Sequence, residues 1–159
     1  MSSFDQRQLR NLFGCFATGI TVVTLRLPDG GLRGITVNSF ASVSLDPPLV
    51  SFCLGKTVKF LPLIKPALHY TINILAEQQQ PLSRHFAQRE QAVLPADHFA
   101  PDVLGCPVLR DTLGWMVCRP AQFIAAGDHE IVLGEVVQYH QSETAANPLL
   151  YFRSTYHRL

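Results

Sequence analysis

RGITVNSFASVSLDPPLVSFCL, residues Arg33 to Leu54, is the stretch whose reading decides the fold. It sets five short hydroxyl or amide side chains (Thr36, Asn38, Ser39, Ser42, Ser44) among apolar ones. It then breaks at Asp46-Pro47-Pro48 and resumes as the apolar run Leu49 to Leu54. Alternation of apolar and small polar residues is the period of a half-buried strand. Paired prolines remove backbone donors and fix φ, so they force a turn. The run that follows has the composition of a buried strand. The sequence therefore predicts strand, polar ledge, turn, buried strand. A ledge of short donors on rigid strands suits a flat ligand rich in carbonyls and ring nitrogens, rather than bond breaking by side chains.

The flanks extend this pattern. Ser3 followed by Gln6 has the spacing of a capping box. Phe4, Leu9, Leu12, Phe13 and Phe16 recur near helical spacing, which predicts a first helix ending around Thr18-Gly19. Ile20 to Leu27 reads as a strand, Pro28-Asp29-Gly30-Gly31 as a hairpin turn, Leu32 to Val37 and Phe40 to Leu45 as strands. Beyond Leu54, the pattern predicts a loop at Gly55-Lys56-Thr57, a short helix over Val58 to Ile64 and a strand over Leu68 to Leu75. A helix over Glu77 to Arg89 and a surface excursion from Glu90 to Asp111 follow. Two long strands, Gly114 to Ala125 and Glu130 to Gln141, meet at the hairpin Gly127-Asp128-His129, and Leu149 to Phe152 and Thr155 to His157 finish the sheet. Strands joined by tight turns, with helices at the edges, argue for a mainly β chain folded as an antiparallel barrel with peripheral helices.

Composition narrows the partners. With 159 residues, 47% hydrophobic and 16% charged, residues 1–159 are expected to form a single domain with one substantial core. So few charges leave apolar surface for a second subunit, and a homodimer is expected. The net charge is +1 and no basic stripe is visible, so no nucleic acid is expected as a partner. No apolar run approaches the roughly 20 residues of a spanning helix, and Met1 to Gln6 lacks the pattern of a signal peptide. No membrane association and a cytoplasmic location are expected. Cys15, Cys53, Cys106 and Cys118 are scattered without a C-x-x-C, which reads as free thiols, and the histidines show no metal-binding spacing.

Chemistry-bearing motifs are few. Gly55-Lys56-Thr57 lacks the earlier glycine of a phosphate loop, since Val50 stands there. Lys56, Thr57 and Lys59 lie where a strand passes into a helix; they read either as a site for one phosphate or as solvated residues. His129 reads as a turn histidine, or as a group beside two carboxylates that orients a ligand or holds a proton. There is no G-x-S-x-G, no marked carboxylate pair and no G-x-G-x-x-G opening a helix. Pro148 to Arg153 reads as a ring-lining segment or as an edge strand sealing the barrel.

Four blocks, in order, resemble the short flavin reductase family, the flavin-reductase components of two-component monooxygenases built on the FMN-binding split barrel. They are F-A-T-G-I-T-V-V-T (Phe16 to Thr24), G-I-T-V-N-S-F-A-S-V-S-L-D-P-P-L-V (Gly34 to Val50), G-D-H-E-I-V-L-G-E-V (Gly127 to Val136) and P-L-L-Y-F-R-S-T-Y-H-R-L (Pro148 to Leu159). The resemblance implies an antiparallel split β-barrel that transfers hydride from NADH or NADPH to FMN, with FAD as the alternative. The reduced flavin then diffuses to a partner monooxygenase. It implies that Thr36, Val37, Asn38 and Ser39 lie along the flavin ring, and that Ser51, Phe52 and Cys53 line the same pocket. It places Lys56, Thr57 and Lys59 at the flavin phosphate, Phe86 and Ala87 near the flavin tail, His129 as the catalytic residue on the nicotinamide side, and Tyr151 and Arg153 at the closing edge. The loop departs from the family's Ser/Thr-rich pattern, as Gly-Lys-Thr-Val-Lys. The residues leave open two other readings: a flavin-binding electron-transfer or redox-sensing protein without turnover, and a barrel for another planar ligand.

Overall fold

The computed structural model describes residues 5–143 and 146–159. Its first helix, α1 (Gln6–Phe13), starts on Asp5, whose Oδ1 accepts the Arg7 and Gln8 N–H groups at 2.8 and 3.2 Å. The expected cap, Ser3, lies outside the described residues. The helix also ends sooner than its apolar spacing predicts. Its residues are not buried, so nothing holds it beyond Gly14, and Thr18–Gly19 instead forms the short strand β1.

The remaining strands are β2 (Thr21–Arg26), β3 (Leu32–Val37), β4 (Ala41–Leu45), β5 (Pro48–Gly55), β6 (Tyr70–Ile74), β7 (Phe99–Val103), β8 (Cys106–Leu109), β9 (Gly114–Ala126), β10 (His129–Gln141), β11 (Leu150–Phe152) and β12 (Thr155–His157). The helices α2 (Leu61–Ile64) and α3 (Gln80–Phe86) lie between them. An antiparallel seven-stranded sheet runs β3-β2-β6-β9-β10-β5-β4. Its two edges, β3 and β4, are joined only by residues 38–40, so the sheet must curl until its ends meet. The result is the expected antiparallel split β-barrel, with a small sheet β1-β11-β12 beside it.

Strand alternation decides which side chains fill the barrel. Along β5, Val50, Phe52 and Leu54 point inward and are buried, while Ser51 and Cys53 are half-buried on the other face. Phe52 meets Tyr70 edge to face at 5.8 Å, packed with Val23, Leu25, Ile72 and Val132. Tyr70 crosses the interior to β10, where any Cβ at Gly134 would collide with its hydroxyl. Gly134, the second glycine of the Gly127–Val136 block, is thus a packing requirement of Tyr70.

The stretch 90–111 is the expected surface excursion as far as residue 105, with no buried residue, but it then enters the core. Strand β8 is wholly buried, and one side-chain hydrogen bond each from β2 and β6 holds it to the sheet. Thr24 Oγ1 donates to the Pro107 carbonyl at 2.7 Å, and the Leu109 N–H donates to Asn73 Oδ1 at 2.9 Å. Asn73 Nδ2 in turn donates to the Val22 carbonyl at 3.0 Å. The expected helix over Glu77 to Arg89 is a 3₁₀ turn, Glu77–Gln79, followed by the shorter α3. Likewise α2 begins at Leu61, not Val58, with Pro62 in its first turn.

Candidate functional site

The polar ledge is built where β3 turns into β4, and most of its polar groups are already engaged. Thr36 Oγ1 donates to the Ser83 carbonyl at 2.7 Å, and Ser83 Oγ lies 2.8 Å from Tyr156 Oη. The Thr36 hydroxyl therefore faces α3. Ser39 Oγ accepts the Cys53 N–H at 2.9 Å, so this hydroxyl closes the barrel. Asn38 is exposed beside it, and Ser51 and Cys53 share one outward face of β5. Two expectations need correction. Phe52 is 1% exposed and Val37 is 7% exposed, both packed within the barrel core, and neither is among the residues that line a cleft.

Beside the ledge lies a cleft of ≈ 690 Å³ between β3, the loop after β5, and the end of α3. Thr57 and Lys59 line it from one side and Phe86 and Ala87 from another, so four expected site residues meet there. Phe86 reaches the cleft floor because Gly34 leaves room: a Cβ at Gly34 would sit 2.5 Å from the Phe86 ring. Arg33, Gln88, Arg89, Glu90 and Gln91 add the other polar groups of the lining, and none is among the expected site residues. The polar run Gln88 to Gln91, directly after Phe86-Ala87, was the available signal. Lys59 Nζ lies 2.6 Å from Glu90 Oε1. Lys59 above all, with help from Arg89 and Arg33, holds the Glu90 carboxyl below the usual carboxylate range. Gln91 Nε2 donates to the Gly34 carbonyl at 2.8 Å, which pins this segment to β3.

The other lysine of the loop goes elsewhere, against the expectation that Lys56 and Lys59 act together. Lys56 Nζ donates to the Gly127 carbonyl at 2.6 Å and its N–H donates to the Asp128 carbonyl at 2.9 Å. His129 stands in register with Gly55 on β5, so Lys56 braces the hairpin that carries the histidine. His129 Nδ1 lies 2.8 Å from Asp128 Oδ1. That contact, with His129 as the main cause and Lys56 adding to it, holds the Asp128 carboxyl below its ordinary range. The expected second carboxylate, Glu130, is instead paired with Lys65 at 2.8 Å.

Tyr151 and Arg153 lie near α1. Tyr151 pairs with Thr18 across β1 and β11 and meets Tyr156 edge to face at 5.2 Å. The Arg153 N–H donates to the Gly14 carbonyl at 2.7 Å, and its guanidinium sits 5.1 Å from the Phe152 ring. Arg153 lines a separate pocket of ≈ 420 Å³ with Asn11, Gly14 and Cys15. Within one chain, these two residues do not join the cleft lined by Lys59.

The arrangement is thus a cationic cleft with an aromatic floor, an adjacent ledge of small donors, and a histidine held by its own hairpin. A cationic end suits a phosphate and a flat ledge suits a planar ring. Among the described residues, no helix is long and apolar enough to cross a membrane. The FMN reductase (NADH) SmoA of Agrobacterium fabrum is 43% identical to this chain over 134 residues, which is 84% of this chain and 76% of that protein. The reductase component of the flavin-dependent trigonelline monooxygenase of Acinetobacter baylyi is 39% identical over 150 residues, 94% of this chain and 48% of that protein. The chain thus spans about half the length of that relative, and 49% of a Rhizobium meliloti (strain 1021) relative. Among solved structures, the NADH:FAD oxidoreductase SgcE6 of Streptomyces globisporus C-1027, in complex with NAD and FAD fragments, superposes with a TM-score of 0.91 at 32% identity. That match covers 98% of this chain and 93% of the other. The model of the flavin reductase like domain matches residues 13–159, and the chain belongs to that family.

Proposed function

We propose that this chain is an NAD(P)H:flavin oxidoreductase that reduces FMN, with FAD as the alternative, and supplies reduced flavin by diffusion to a partner monooxygenase. The observation that carries this reading is the cleft lined together by Arg33, Lys59 and Arg89, with Phe86 and Ala87 on its other side. Names of relatives support it: one is an FMN reductase using NADH, another the reductase component of a monooxygenase.

In this reading residues 1–159 act as one unit. Lys59 and Thr57 hold the phosphate end, and Phe86 and Ala87 flank the tail. The backbone from Thr36 to Ser39, with the outward faces of Ser51 and Cys53, supports the ring. When bound, the flavin supplies the hydride-accepting ring, so no nucleophilic side chain is required. Backbone N–H groups of the 36–39 segment meet developing negative charge. His129 orients the nicotinamide or holds a proton at a ring nitrogen. Lys56 acts through His129, by bracing its hairpin. Exposed Leu12, Phe13 and Phe16 near α1, and Val43 and Leu45 on β4, support a homodimer, with Tyr151 and Arg153 closing the site in the assembled form.

Mixing the purified protein with NADH and free FMN, and following the nicotinamide absorbance, tests the proposal. Catalytic loss of absorbance is the expected result. A yellow protein without turnover favours an electron-transfer or sensing role, and a colourless, inert protein overturns flavin binding altogether.

A further inference from the structure

The cleft carries a carboxylate at the point where its cations converge. Glu90 Oε1 is 2.6 Å from Lys59 Nζ, and both side chains are exposed, at 83% and 63%. Arg89 and Arg33 act on the same carboxylate. The adjoining Gln91 is tied to the Gly34 carbonyl at 2.8 Å and to the Phe86 carbonyl at 3.4 Å, which keeps the backbone that carries Glu90 at the cleft while its side chain stays free to turn. A tethered group competes at a high effective concentration for whatever it touches. A solvated single ion pair is nevertheless weak. A phosphate monoester brings about two negative charges and three acceptor oxygens to the same position, which favours exchange of one anion for the other.

We propose that Glu90 is a built-in competitor for the phosphate end of the flavin, neutralising Lys59 until the phosphate replaces it, and so sets how readily flavin enters and leaves. The inference rests on the reading that flavin binds in this cleft. It makes flavin uptake an anion exchange. Removing the carboxylate strengthens binding of phosphate-bearing flavin and leaves binding of the ring alone unaltered. That behaviour suits a protein whose flavin must depart after each reduction.

The test compares FMN with riboflavin, which has the same ring and sugar chain but no phosphate. Dissociation constants are read from quenching of flavin fluorescence, without turnover. Glu90→Gln is expected to tighten FMN by about three- to fivefold, the scale of one exposed ion pair, and to leave riboflavin unchanged. Lys59→Ala is expected to weaken FMN and spare riboflavin, and in that background Glu90→Gln should lose most of its effect. The inference falls if Glu90→Gln binds FMN no more tightly than the wild type, or if FMN and riboflavin tighten alike. If the wild type binds both flavins equally, phosphate recognition falls while flavin binding stands. If it binds neither, the functional reading falls with it.

Discussion

Ser39 Oγ accepts the Cys53 N–H at 2.9 Å and thereby fastens the turn between the sheet's two edges to the middle of β5. Phe40, next in the chain, packs against the barrel core and is a second tie of the same join. Ser39→Ala is expected to cost about 1 kcal/mol of stability, the usual net worth of one hydrogen bond. Urea denaturation followed by fluorescence of Trp115 measures it. A midpoint equal to that of the wild type would show that the clamp contributes nothing.

Gly34 and Phe86 are a second matched pair. A methyl group at position 34 would lie 2.5 Å from the ring, and the ring is 1% exposed and has no room to retreat. Gly34→Ala should destabilise the protein by about 1–3 kcal/mol, as overpacked sites do, and should weaken FMN binding by displacing the cleft floor. Thermal melting and flavin titration together check this. Loss of stability with intact flavin affinity would remove Phe86 from the site.

These two pairs show what could be read from sequence and what could not. Strands β3 and β12 fall at Leu32–Val37 and Thr155–His157, as their alternation and flanking turns predict. Alternation is local, so it survives without tertiary information. Strand β8 is hard to read because it has only four residues and Pro107 interrupts them, while the hydrogen bonds that hold it come from Thr24 and Asn73 on distant strands. The pocket role of Phe52 comes from the family resemblance, whereas the alternation of Val50, Phe52 and Leu54 with Ser51 and Cys53 places it on the inner face. Arg33, Lys59 and Arg89 look like solvated charges in sequence, and only closure of the barrel brings them to one cleft. The two lysines of the loop, so close in sequence, serve different elements because the chain turns between them.

Thiol reactivity offers an independent check of the packing. Burial is the main cause that pushes the Cys106 thiol up to about 11 and the Cys118 thiol up to about 12, whereas Cys15 is exposed. The thiolate is the reactive form. At neutral pH, Cys15 should react promptly with a disulfide reagent, while Cys106 and Cys118 should react only after denaturation. Labelling followed by mass spectrometry decides the order. Rapid modification of Cys118 in the native protein would contradict its place beside Tyr70 in the barrel.

Lys56 and Lys59 make the sharpest functional contrast. The Lys56 ammonium donates to the Gly127 carbonyl, so loss of that side chain should loosen the hairpin that carries His129, although the backbone bond to the Asp128 carbonyl remains. Lys59 faces the cleft, so its loss should be felt by the flavin phosphate. Lys56→Met is therefore expected to lower the NADH-dependent rate or raise the KM for NADH by about tenfold, the effect of roughly 1.4 kcal/mol, with FMN affinity unchanged. His129→Ala should show the same pattern more strongly, since removing a positioned proton donor or acceptor typically costs about 10²-fold or more. Lys59→Ala should show the reverse, weakened FMN with little change in the rate at saturating flavin. Stopped-flow reduction of bound FMN, paired with flavin titrations, separates the two patterns. If Lys56→Met weakens FMN as Lys59→Ala does, Lys56 belongs to the phosphate site after all, and the division of the loop between the two functions is wrong.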